Sequence, residues 1–114
     1  MKVISCLKVA TFLIASTIAT TKVSLATEVI CLDTTYARAE TKGYYVNICG
    51  NSNGPSRYIG SSKSGQALVI PLSSFSDGKY IARSGEFRYT LTRNFLTVTQ
   101  NGRTILKQKV ISWR

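Results

Sequence analysis

From Gly43 onward, turn signals recur every 8 to 12 residues, and the runs between them are rich in β-branched and aromatic side chains. That spacing predicts a small antiparallel barrel or sandwich of about six to eight short strands. Tyr44-Tyr45-Val46-Asn47-Ile48-Cys49 reads as one strand, with Tyr44, Val46 and Ile48 on a common face. Gly50 to Pro55 reads as a loop, Arg57 to Gly60 as a short strand and Ser61 to Gly65 as a turn. Gln66 to Leu72 is an apolar run in which Pro71 marks a strand end or an edge.

Three tight turns close the pattern. Asp77-Gly78 suits a two-residue hairpin turn. Ser84-Gly85 would set Arg83 opposite Glu86, Ala82 opposite Phe87 and Tyr80 opposite Tyr89. Asn101-Gly102 would set Val98 opposite Ile105 and Thr99 opposite Thr104. Arg103 to Trp113 is one long strand or two. The stretch with a trace of helical character is Thr34 to Lys42, where Tyr36 to Glu40 reads as a short helical turn or a loop.

The start of the chain reads differently. Lys2 and Lys8 precede an uncharged apolar stretch from Val9 to Ala19, and Ser24 and Ala26 are small residues at the right spacing for cleavage after Ala26. Residues 1–26 are therefore expected to be a signal peptide and 27–114 a single secreted or periplasmic β domain of 88 residues. An apolar core of eleven residues is short of the roughly 20 that span a bilayer. No transmembrane segment is expected in the mature chain. A chain of that size buries only a little over roughly 60% of its unfolded surface, so it is marginal without help, which the cysteines are expected to give. Once Cys6 leaves with the signal, Cys31 and Cys49 remain as an expected disulfide.

Processing would also remove three lysines, leaving twelve basic residues against five acidic ones, a formal net of +7. That balance favours an anionic glycan, lipid or protein partner, and export argues against nucleic acid. The chain has no histidine, which excludes Ser-His-Asp and Cys-His catalysis and histidine-ligated metals. Ser76-Asp77-Gly78-Lys79 fits S-x-x-K, but it lies at a hairpin turn without partner motifs. No catalytic residue, metal or cofactor is expected. The candidate binding surface is Tyr58, Ser76, Lys79, Tyr80, Arg83 and Arg88, with Arg57, Lys63 and Arg93 as further members of a basic face. The tyrosines and Trp113 suit either a surface patch or core packing.

Two resemblances add to this reading. Tyr44–Gly50, Tyr58–Gly60, Gly85–Leu91 and Leu96–Arg103 resemble a family of small exported bacterial proteins without assigned function, which implies a secreted β domain. Ser76-Asp77-Gly78-Lys79-Tyr80 is similar to the serine-bearing loop of the membrane-bound C-type lysozyme inhibitors, although both cysteines lie far from where that family bridges. The function expected is thus a non-enzymatic basic binding module of the periplasm or envelope, with an inhibitor of a cell-wall hydrolase as the alternative.

Overall fold

Val46 and Ile48 are wholly buried and alternate with outward-facing neighbours, as the period of two requires. The computed structural model describes residues 28–114, so the expected signal at 1–26 lies outside the described residues. Eight strands follow in chain order: β1 (Thr34–Thr41), β2 (Tyr44–Asn51), β3 (Gly54–Ser62), β4 (Ala67–Ser76), β5 (Lys79–Ser84), β6 (Phe87–Leu91), β7 (Phe95–Gln100) and β8 (Arg103–Trp113). Each pairs antiparallel with the next, and β8 returns to β1, which closes a barrel. The all-β reading holds, and of the two architectures it allowed the chain adopts the barrel.

Closure depends on the two longest strands. β4 pairs with β3 through Ala67–Pro71 and with β5 only from Leu72 onward. β8 pairs with β7 through Arg103–Lys109 and with β1 only from Val110. Each long strand therefore belongs to two sheets and forms a corner between them. The expectation that Pro71 ends a strand or marks a sheet edge is corrected, because it sits inside β4. It is tolerated there because β4 changes partner at this residue, where a missing amide proton breaks no continuous ladder.

Four local expectations are corrected. Thr34 to Thr41 is a strand, not a helical turn. Ala37, Ala39 and Thr41 point inward and are buried, and pairing to both β2 and β8 overrides the weak local preference of this segment. The Gly50–Pro55 loop shrinks to a turn at Ser52-Asn53, since pairing runs on to Asn51 and Gly54. The third correction concerns the β5–β6 turn, whose centre is Gly85-Glu86 with φ of +59° at Gly85. Ser84 then faces Phe87 and Arg83 faces Arg88, so the expected Arg83–Glu86 pair does not form. The fourth lies beyond Asn101-Gly102, where both residues have positive φ. Thr99 faces Thr104 as expected, but a bulge then sets Val98 against Leu106 instead of Ile105.

The core joins Ala37, Ala39, Val46, Ile48, Ile70, Ala82, Leu91 and Leu96, with Tyr80 and Trp113 packed against it. Outside the barrel the segment from Glu28 forms a strap across β1, β2 and β3. Cys31 bridges to Cys49 on β2, as expected. The backbone amide of Val29 donates to Ser61 Oγ at 3.0 Å, and Asn47 Nδ2 donates to Glu28 Oε2 at 2.7 Å. Asn47, Ile59 and Ser61 are buried although they point away from the barrel core, and the strap bonds to both Asn47 and Ser61. Arg38 Nε also donates to Glu28, at 2.7 Å.

Candidate functional site: a basic outer face and an apolar cavity

Charge is unevenly shared between the sheets, with Asp77 and Glu86 in the turns at the two ends of β5. Three of the acidic residues lie on the β1–β3 side, each within salt-bridge distance of a cation: Glu28 with Arg38, Asp33 with Arg57 at 3.7 Å, and Glu40 with Lys63 at 2.5 Å. The Arg38 hydrogen bonds hold the Glu28 carboxyl below the usual carboxylate range, outweighing the burial that would raise it. Lys63 also lies over the Tyr45 ring at 5.0 Å. Arg57 and Lys63 are thus partnered on the strap side and do not join the expected basic face.

The outer face of β5–β8 is the opposite case. Inward Tyr80, Ala82, Tyr89, Leu96, Val98 and Leu106 alternate with outward Lys79, Arg83, Arg88, Thr97, Thr99, Lys107 and Lys109. The register sets Arg83, Arg88, Thr99 and Thr104 side by side in one row. Ile81, Thr90, Thr97 and Lys107 form the next row. Lys79, Arg83, Arg88, Lys107 and Lys109 are all exposed, and no ion pair forms on this face among the described residues. Glu86, at the rim, is held elsewhere: Gln100 Nε2 and Asn101 Nδ2 donate to its carboxylate at 2.5 and 3.1 Å. Strands about 4.8 Å apart make each row roughly 14 Å long.

Of the site residues expected from sequence, the structure brings together Lys79, Arg83 and Arg88. Ser76 faces Lys79 across the β4–β5 turn and is exposed. Tyr80 packs inward against the core, and Tyr58 is buried in the barrel. Arg93 sits in the β6–β7 turn, 5.4 Å over the Trp113 ring. Lys107 and Lys109 were missed. Their signal was the alternation Leu106-Lys107-Gln108-Lys109-Val110, which puts both lysines on the solvent face. Lys107 lies 4.5 Å over the exposed ring of Phe95, which stiffens that corner of the face.

The inward side holds a second feature. Because β4 before Leu72 has no partner on β5, and β8 before Val110 none on β1, the sheets splay apart at one end. Gln108 bridges the β1–β8 gap: its Oε1 accepts from Thr41 Oγ1 at 2.7 Å and from the Gly43 amide at 3.0 Å. The splayed end holds a half-open cavity of about 680 Å³. Leu68, Phe87, Leu96, Val98 and Leu106 line it, together with the rings of Tyr44, Tyr58 and Tyr89. The tyrosines expected to offer a surface patch divide between this cavity, the core and isolated exposed positions.

The chain matches no protein-family model, no curated protein and no solved structure.

Proposed function

We propose that this protein is a non-enzymatic binding module that holds an extended anionic glycan of the cell envelope against the outer face of β5–β8. The observation that carries this reading is the segregation of charge. Acids on the strap side are matched by Arg38, Arg57 and Lys63, while five cations on the opposite face have no acidic partner among the described residues. Charges spread for solubility alone would interleave the two signs, whereas a one-sign face raises the local concentration of a polyanion. The intervening threonine hydroxyls offer donors and acceptors to sugar hydroxyls. An oxidising, exported setting is supported by the Cys31–Cys49 disulfide.

The test titrates the purified full-length protein with heparin as the anionic probe and dextran as the neutral one. Between about 0.01 and 0.15 M salt the screening length falls from about 30 to about 8 Å, and heparin affinity should fall at least about tenfold. Replacing Arg83 and Arg88 by Gln should weaken heparin binding far more than replacing Lys42 and Arg103, which changes net charge equally. Equal losses from the two pairs, or binding indifferent to salt, would overturn the reading.

A further inference from the structure

We propose that the cavity at the splayed end of the barrel binds an uncharged, largely apolar small molecule that carries one hydrogen-bond-accepting oxygen. This site is distinct from the basic face, which lies on the other side of the same strands.

The volume, about 680 Å³, falls within the range of small-molecule pockets. No charged side chain is among the residues that line it. Its polar lining is Ser62, Gln66 and tyrosine hydroxyls, with no opposite charge to pair a carboxylate or an ammonium, so a neutral occupant is favoured. The polarity the site does offer is specific. Tyr58 is 3% exposed, and its hydroxyl has no hydrogen-bond partner among the described residues. By contrast, the hydroxyl of exposed Tyr36 donates to the Asn51 carbonyl. A buried donor left unpaired costs on the order of 1–3 kcal/mol. In a half-open cavity water can accept that bond, and a molecule bearing an acceptor oxygen can take the water's place.

The phenol is also fixed in place. Gly60 lies two residues along the same strand, and a side-chain carbon there would sit 3.1 Å from the Tyr58 ring. The missing side chain lets the ring lie flat along β3. On its other side the ring packs against Tyr89 with centroids 5.4 Å apart. Burial raises the pKa of both phenols, so each remains a proton donor through neutral and moderately alkaline pH. Two or more rigid aromatic rings, an aliphatic wall and one anchored donor match a flat or chain-like molecule bearing a ketone, quinone or ether oxygen.

The test uses three probes of one shape in equilibrium dialysis with the full-length protein: 2-acetylnaphthalene, 2-ethylnaphthalene and 2-naphthoate. The ketone should bind about tenfold more tightly than the ethyl compound, the size of one satisfied buried hydrogen bond. Naphthoate should fail to displace the ketone at neutral pH. Tyr58→Phe should abolish the ketone's advantage while leaving the ethyl compound's affinity unchanged, and Leu68→Trp should block both. Urea midpoints establish that each variant is folded. Replacing Arg83 and Arg88 should leave ketone binding intact. The proposal is overturned if neither neutral probe binds, if naphthoate displaces the ketone, or if the ketone's preference survives in Tyr58→Phe.

Discussion

Arg83 and Arg88 stand directly opposite each other on neighbouring strands, both exposed and neither facing an acid. Like charges in that relationship are destabilising by a few tenths of a kcal/mol. A protein selected for stability alone would place an acid or a threonine at one of the two sites. Arg88→Gln should therefore raise stability by about 0.5 kcal/mol while weakening heparin binding. Urea unfolding of the free protein reads the first effect and a heparin titration the second. A variant that loses both stability and affinity would argue that the arginine is structural.

The strap carries a pH dependence. Glu28 has its folded-state pKa lowered by Arg38, so its contribution is complete above the ordinary glutamate value of about 4.3 and is lost as pH falls through the lower folded value. Glu28→Gln should cost about 1–2 kcal/mol at neutral pH, allowing for the partial exposure of Arg38. The difference from the parent should shrink toward zero in strong acid. Urea midpoints at the two extremes of pH make the comparison.

The disulfide ties the same strap to β2 across 18 residues of sequence. Loop-closure entropy for that length corresponds to about 3 kcal/mol. Replacing Cys31 and Cys49 together by Ser should lower the unfolding free energy by about that amount. It should also speed amide hydrogen exchange at Val29, whose amide bonds to Ser61 beneath the strap.

Gln108 is the stitch at the splayed edge. Thr41 is fully buried, and its hydroxyl donates to Gln108 while accepting from the Tyr44 amide at 3.1 Å. Gln108→Leu keeps the bulk and removes the acceptor, leaving the Thr41 hydroxyl and the Gly43 amide without it. A loss of about 2 kcal/mol is expected in urea unfolding. Gln108→Glu, which keeps an acceptor, should lose less.

Much of the β framework was legible from local chemistry. Tyr44, Val46 and Ile48 alternate inward because a strand has a period of two, and Asn101-Gly102 turns because both residues tolerate positive φ. The cysteine pair followed from counting what survives the expected cleavage. The β1 strand was not legible, because Ala37 and Ala39 carry no strand preference and are held there by partners on both sides. The one-residue shift of the turn to Gly85-Glu86, which moves each β5 residue's partner by two, was also hidden, since Ser84-Gly85 and Gly85-Glu86 are both acceptable turns and the choice falls to pairing along the whole hairpin.

The candidate sites divide the same way. Sequence alone determined that the chain is basic, lacks histidine and carries Lys79 just after the Asp77-Gly78 turn, with Arg83 and Arg88 on either side of the β5–β6 turn. Only the closed barrel decided that Arg57 and Lys63 would be partnered on one sheet while Lys107 and Lys109 joined the other. The cavity too belongs to the tertiary structure alone. It exists because β4 and β8 each leave one partner part-way along their length, and the β8–β1 pairing that closes the barrel joins residues 69 to 74 apart, such as Thr41 with Val110, which leaves no mark in any short stretch of sequence.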